Sequence, residues 1–91
     1  MVEESQTKIR LLVAESFELV RIGLRSLFES HHSIRLVAEA SSIEDLFKLA
    51  AQHKPDIVLM DLQLSGGNYA EHITKLLHAC PQSKEIGRAH V

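Results

Sequence analysis

The sequence predicts an α/β fold built on a parallel sheet. Three short apolar runs, at residues 9–13, 34–38 and 57–60, alternate with three segments whose apolar residues recur at helical spacing. Runs this short are typical of buried strands rather than helices. Because alternating strands and helices pair in parallel through right-handed crossovers, the first and third strands should be neighbours at the centre of the sheet. The expected strand order is therefore 2-1-3.

The first strand–helix unit opens the expected domain. The run Ile9–Val13 forms the strand, and a helix is expected from Glu18 to about Glu29. The apolar residues on one face of this helix are Val20, Leu24, Leu27 and Phe28. A one-sided apolar stripe of this kind indicates a helix that packs on a sheet. The second strand follows at Ile34–Ala38.

The second and third helices have start and stop signals in the sequence. Ser41-Ser42 can cap a helix whose apolar residues recur at helical spacing. Pro55 prevents this helix from continuing, and the third strand follows at Ile57–Met60. Asn68 can cap the third helix, and Cys80-Pro81 should end it.

The composition indicates one globular domain or part of one. Of the 91 residues, 45% are hydrophobic, which is too many for a disordered chain. The net charge of −2 argues against a nucleic-acid-binding surface, and no apolar stretch approaches the ~20 residues of a membrane span. The acidic start at Met1–Ser5 does not resemble a secretory signal, and the single Cys80 cannot form an internal disulfide. A cytoplasmic location is therefore expected.

Asp61 is the first candidate functional residue, because it ends the third apolar run and precedes the turn residues Ser65–Asn68. Open α/β sheets place their ligands and chemistry at the carboxyl ends of their strands. An aspartate at such a point can equally cap the next turn through its side chain. Its position alone does not decide between these interpretations. The same topology would bring Glu15 and Ser16, which follow the first strand, close to Asp61.

Three segments carry a resemblance to a known family. The segment Lys8–Leu24 resembles the opening of a bacterial response-regulator receiver domain of the NarL/FixJ, LuxR-type group. Val37–Ser41 resembles the second strand and following loop of that group, and Pro55–Leu62 resembles its phosphoacceptor strand. The likeness extends from Lys8 to about Pro81. It implies a flavodoxin-like (CheY-like) doubly wound parallel sheet, incomplete here, and a role in two-component signalling.

The resemblance implies that Asp61 accepts a phosphoryl group from a sensor histidine kinase. The transition state of such a transfer spreads negative charge over the phosphoryl oxygens, so cations and positioning do most of the catalysis. By position, Glu15 and Ser16 correspond to two acids that help to hold Mg²⁺ in the family. Asp61 and the backbone carbonyl of Gln63 correspond to the other protein ligands. Mg²⁺ prefers oxygen ligands of these kinds.

The chain departs from the family pattern at several of these positions. Ser16 is neutral where an acid is expected, and Glu15 is one methylene longer than aspartate. Ser65 and Tyr69 replace a proline and a glycine, and Phe17 stands where histidine is common. Losing one charge weakens a metal site whose affinity is largely electrostatic. Two interpretations stay open: a phosphoacceptor that binds Mg²⁺ weakly, and a degenerate, phosphorylation-independent interaction domain.

An enzyme that uses Asp61 as its nucleophile is a further alternative. Haloacid-dehalogenase-type phosphatases need an Asp-x-Asp pair, and Gln63 occupies the second position, so the general acid is missing. We therefore expect no enzyme activity.

The resemblance implies a transcriptional regulator as the parent protein, which would bind DNA only through a C-terminal helix-turn-helix domain that is missing here. A homodimeric parent stays open, and no membrane partner is expected.

The two ends of the chain are expected to lie outside the domain. Residues 1–7 are predicted to be a disordered N-terminus, and residues 8–84 a partial receiver domain. Residues 85–91 match the translation of a widely used short-read sequencing adapter, which predicts a non-native tail. Without the family's fourth and fifth strands, the outer edge of the third strand would expose unpaired backbone groups.

Overall fold

A computed structural model describes residues 8–66, 68–79 and 84–88 of the protein. Strands and helices alternate in this order: β1 (Ile9–Ala14), α1 (Glu18–Glu29), β2 (Ile34–Ala40), α2 (Ile43–His53), β3 (Ile57–Asp61), a short 3-10 helix (Leu62–Ser65), α3 (Tyr69–Ala79) and β4 (Lys84–Arg88). The three predicted strand–helix units are confirmed. Within the described ranges, none of the helices has the length and apolar character needed to cross a bilayer.

The strands form one parallel sheet in the order β2-β1-β3-β4. The predicted order 2-1-3 is therefore confirmed, with a fourth strand added beside β3. Ala14, the last residue of β1, pairs with Ala40 of β2 and with Met60 of β3. The three strands consequently end at nearly the same level. The loops that follow them meet at one edge of the sheet.

The expectation that β3 would have an unpaired outer edge is wrong. Lys84–Arg88 lies parallel to β3, with Ile57 opposite Lys84 and Asp61 opposite Arg88. Strand pairing uses main-chain N–H and C=O groups, so it does not require the apolar sequence that makes a strand recognisable. The adapter-like origin of residues 85–91 stays a prediction. The predicted disorder of residues 1–7 and the helix stop at Cys80-Pro81 lie outside the described residues.

The hydrophobic core lies on one face of the sheet, beneath α2 and α3. Its fully buried side chains come from all three predicted strands and both of these helices: Leu12, Ala14, Ala40, Leu46, Ala50, Val58, Met60 and Leu76. Alternate residues of a strand point to opposite faces, which explains why Leu12 and Ala14 share this core. The core therefore fixes which side chains of β1 and β3 face the other way.

The opposite face of the sheet is covered less completely. The only described helix on this side is α1, and none of its residues is fully buried. Leu27, which sequence periodicity placed on the packing face, is 57% exposed. An apolar cleft of about 190 Å³ opens between α1 and the strands, lined by Ile9, Leu11, Phe28, Ile34, Ile57 and Leu59. The described part of the chain thus buries one sheet face well and the other only partly.

Local signals in the sequence account for the bounds of α2. The Ser42 hydroxyl accepts a hydrogen bond from the backbone N–H of Asp45 at 3.2 Å, as the predicted cap requires. At the other end, Lys54 adopts a left-handed conformation with φ of 47°, and its N–H donates to the carbonyl of Ala50 at 2.8 Å. Pro55 follows directly and is buried. It turns the chain into β3.

The core assignment predicts unequal effects for the same substitution at two leucines. Leu46 is fully buried, whereas Leu19 on α1 is 82% exposed. We expect Leu46→Ala to lower the free energy of unfolding by about 2–5 kcal/mol, because it removes buried methyl groups and leaves a cavity. Leu19→Ala should change it by less than ~0.5 kcal/mol. Denaturant unfolding followed by circular dichroism measures both, and equal losses would contradict this core.

Candidate functional site

The sheet topology places two buried acidic residues at the carboxyl ends of neighbouring strands. Glu15 directly follows β1, and Asp61 ends β3. Because Ala14 pairs with Met60 in the parallel register, the next residues along the two strands are Glu15 and Asp61. Each is only 1% exposed, and they are the buried charged side chains among the described residues. The expected meeting of these two positions at one end of the sheet is observed.

Asp61 combines the two arrangements that its sequence position allowed. It lies at the carboxyl end of a central strand, and it also caps the short 3-10 helix that follows. Its Oδ1 accepts a hydrogen bond from the backbone N–H of Gln63 at 3.1 Å. The carbonyl of Gln63 in turn accepts the N–H of Gly66 at 3.1 Å, and Gly66 has the left-handed φ of 61° that glycine tolerates. This turn holds the Asp61 carboxylate at the edge of the sheet.

The backbone and carboxylate of Glu15 are held from three directions. Its N–H donates to the carbonyl of Ala40 in β2 at 2.9 Å. Its Oε2 accepts the N–H of Phe17, the residue that precedes α1, at 3.1 Å. Its carbonyl accepts a hydrogen bond from Nη1 of Arg21 at 2.9 Å. An anion at the start of a helix is also favoured by the helix dipole.

Ser16 does not share the burial of its neighbour. Its side chain is exposed, whereas Glu15 is buried. Phe17, the other departure from the family pattern in this loop, is 52% exposed. The side chains of Ser65 and Tyr69 are outside the described part of the structure. The structure therefore brings together two carboxylates, with a neutral hydroxyl in the adjoining loop.

The oxygen donors at this edge suit a small divalent cation. Mg²⁺ is usually bound through one or two carboxylates, with waters or phosphate oxygens completing its octahedral shell. Glu15 and Asp61 supply two carboxylates, and the Gln63 carbonyl, which accepts the N–H of Gly66, is a third oxygen donor in the same turn as Asp61. In the described ranges, no group of three or more His, Cys, Asp or Glu residues converges to hold a metal. The donor set fits Mg²⁺ with fewer charges than a three-acid site would offer.

An ion-pair network borders the site. Nε of Arg25 lies 2.6 Å from Oε2 of Glu39, and its Nη2 lies 2.9 Å from Oε1. Nε of Arg21 lies 3.9 Å from the same carboxylate. The hydrogen bonds from Arg25, together with the two positive charges, lower the pKa of Glu39. Sequence reasoning missed this network, because a salt bridge between residues 14 apart on a helix and a strand leaves no periodic signal.

A family model for the response regulator receiver domain matches residues 11–86 of the chain. The response regulator GacA of Pseudomonas aeruginosa is 36% identical over 78 residues, which cover 86% of this chain and 36% of that protein. The response regulator protein VraR of Staphylococcus epidermidis is 33% identical over 78 residues, covering 86% of this chain and 37% of that protein. The chain thus spans little more than a third of the length of these curated relatives.

Solved structures show the same fold. A two-component response regulator of the LuxR family from Aurantimonas sp. SI85-9A1 superposes with a TM-score of 0.80 at 27% identity, covering 92% of this chain and 61% of that one. The signal receiver domain of the putative response regulator NarL from Mycobacterium tuberculosis also gives a TM-score of 0.80, at 22% identity, with coverage of 92% and 68%. At that lower identity, the second likeness concerns the fold alone.

The lowered pKa of Glu39 predicts a pH-dependent contribution to stability. Because the folded-state pKa lies below the ordinary glutamate value of 4.5, the unfolded chain binds the proton more readily. The contribution is complete above that value and is lost as the pH falls through the folded-state pKa. Glu39→Gln should therefore lower the free energy of unfolding by about 0.5–1 kcal/mol at neutral pH, and less in acid.

Denaturant unfolding over a pH series measures this effect. Arg25→Ala is the matched control, because it removes the arginine that makes the shorter contacts with the Glu39 carboxylate. In that background, Glu39→Gln should have little further effect. A difference between the glutamate and glutamine proteins that stays constant as the pH falls through and below 4.5 would contradict the assignment.

Proposed function

This chain belongs to the response regulator receiver domain family, and we propose that it takes a phosphoryl group from a histidine kinase onto Asp61. Accepting a phosphoryl group is the general function of this domain in two-component response regulators. The observation that carries the assignment to Asp61 is its buried carboxylate at the carboxyl end of a central strand, beside Glu15.

The proposed reaction is one displacement at phosphorus. An Asp61 carboxylate oxygen attacks the phosphorus of a phosphohistidine, the P–N bond breaks, and the imidazole leaves with the electron pair and takes up a proton. The product is an acyl phosphate on Asp61. The hydrogen bond from the Gln63 N–H to Oδ1 helps to orient the Asp61 carboxylate for this attack.

Receiver domains generally bind Mg²⁺ at the phosphorylation site. In this chain Glu15, Asp61 and the Gln63 carbonyl would hold it, with Ser16 as a weaker contributor. When bound, Mg²⁺ offsets the negative charge that builds up on the phosphoryl oxygens. Glu15 would anchor the ion through a carboxylate whose orientation is fixed by the Phe17 N–H. With a hydroxyl at Ser16, we propose that the affinity for Mg²⁺ is low.

A degenerate, phosphorylation-independent receiver is the second candidate, and a specific observation favours it. Ser16 provides no charge and its side chain is exposed, so Glu15 and Asp61 are the two carboxylates of the described site. In that case the fold would act only as an interaction domain. The two candidates differ in one measurable property, which is the covalent labelling of Asp61.

The wider role rests on the relatives. Receiver domains of this kind are generally not enzymes, and we propose that this one is a stoichiometric acceptor rather than a catalyst with turnover. Relatives in Bacillus subtilis are named as transcriptional regulatory proteins. We propose a cytoplasmic transcriptional regulator as the parent protein, with a histidine kinase as its partner and DNA contacted only through a further domain.

The direct test is Asp61→Asn in the longest natural form of the protein that contains this chain. We expect incubation with acetyl phosphate and Mg²⁺ to add one phosphoryl group to the unmodified protein, seen by intact mass spectrometry, and none to Asp61→Asn. The matched control is Asp45→Asn, on the exposed surface of α2, which should be labelled normally. Failure of the unmodified protein to be labelled would favour the degenerate receiver.

Ser16→Asp tests whether the missing negative charge at position 16 weakens Mg²⁺ binding. An additional carboxylate in the loop after Glu15 should tighten Mg²⁺ binding about tenfold, equivalent to ~1.4 kcal/mol. Isothermal titration calorimetry measures the affinity, and Ser30→Asp at the far end of α1 adds the same charge away from the site. A gain that is equal in both variants, or absent from both, would show that Ser16 does not line a metal site.

A further inference from the structure

We propose that Arg21 is a positioning residue that fixes the backbone of Glu15 and thereby its carboxylate. The inference rests on the proposed function, because it concerns the acid expected to hold Mg²⁺. Nη1 of Arg21 donates to the Glu15 carbonyl at 2.9 Å in a partly buried setting. Hydrogen bonds from a charged donor are stronger than neutral ones, and they fix geometry more firmly.

The contact lies at the point where the chain leaves the sheet. The Glu15 N–H is paired with Ala40, so the residue is still attached to β2 on its amino side. On its carbonyl side the strand pairing has ended, and α1 begins only at Glu18. Arg21 reaches back to this carbonyl from the first turn of α1. It therefore connects the end of the sheet to the helix across the loop that carries Glu15 and Ser16.

Arg21 is well placed to hold a fixed position. Its own N–H donates to the carbonyl of Phe17 at 3.0 Å, and its side chain is only 19% exposed. Arg25 makes the two short hydrogen bonds to Glu39, whereas Arg21 lies 3.9 Å from that carboxylate. Arg21 thus makes its shorter contact with Glu15. Both arginines lie beside Glu39, and Arg21 also contacts Glu15, one of the two acids of the site.

The identity of residue 15 makes such positioning important. Glutamate has one more rotatable bond than aspartate, so its carboxylate loses more conformational freedom when it is held for a ligand. Its Oε2 can accept the Phe17 N–H only if the backbone of residues 15–17 keeps its present path. Arg21 constrains that path through its hydrogen bond to the Glu15 carbonyl. Groups that orient metal ligands typically change metal affinity by about 10–100-fold when they are removed.

The experiment compares Arg21→Ala with Arg25→Ala in the longest natural form of the protein. Calorimetry gives the Kd for Mg²⁺, and hydrogen exchange of the Phe17 amide reports directly on its bond to the Glu15 carboxylate. We expect Arg21→Ala to raise the Kd and the exchange rate each about tenfold, and Arg25→Ala to change each less than about twofold. Arg21→Lys should be intermediate, at about threefold, since it keeps a cation but loses the planar fork.

Two results would overturn the role of Arg21. One is an unchanged Kd and exchange rate in Arg21→Ala. The other is an equal change in both alanine variants, because the effect would then pass through Glu39 and general packing. If Arg21→Ala does not fold, Arg21→Lys against Arg25→Ala decides the matter in the same way. Absence of phosphoryl labelling in the unmodified protein would instead contradict the proposed function. Hydrogen exchange of the Phe17 amide would still test the positioning role of Arg21, because it needs neither metal nor phosphoryl donor.

Discussion

The parallel pairing of β1 with β3 is the constraint on which the site depends. A parallel register aligns the ends of strands that are distant in sequence, so Glu15 and Asp61 become neighbours without any local signal that links them. The core fixes which residues face the other side, because Leu12, Ala14, Val58 and Met60 must all pack beneath α2 and α3. With that packing in place, the two acids reach the same edge.

Burying two carboxylates is costly unless they are hydrogen-bonded or coordinated to a cation. The fold meets this cost first with backbone donors, the Phe17 N–H for Glu15 and the Gln63 N–H for Asp61. Both donors lie in the turns that immediately follow the strands, so the same local geometry that ends each strand also orients each acid. Arg21 adds a cationic donor at the Glu15 carbonyl. What distinguishes this site from a three-acid site is the exposed, neutral Ser16.

The sequence was sufficient for the features that repeat along the chain. Strand and helix periodicity, the Ser42 cap and the stop at Pro55 predicted the three units, and the strand order placed Asp61 beside Glu15. Periodicity did not predict β4, because Lys84–Arg88 lacks an apolar strand pattern and is paired through its main chain. It also missed the contacts among Arg21, Arg25 and Glu39, since these depend on how α1 lies against β2. Contacts between elements are a property of packing, which a single sequence specifies only indirectly.

We propose that Glu15 and Asp61 form one cation and phosphoryl site at this end of the sheet. Titration with Mn²⁺, a paramagnetic substitute for Mg²⁺, tests it most directly through the amide NMR signals. We expect broadening that is strongest at residues 15–17 and 61–63 and weakest at Ile9 and Ile57, the opposite ends of β1 and β3. Broadening centred elsewhere, or around only one of the two acids, would contradict it.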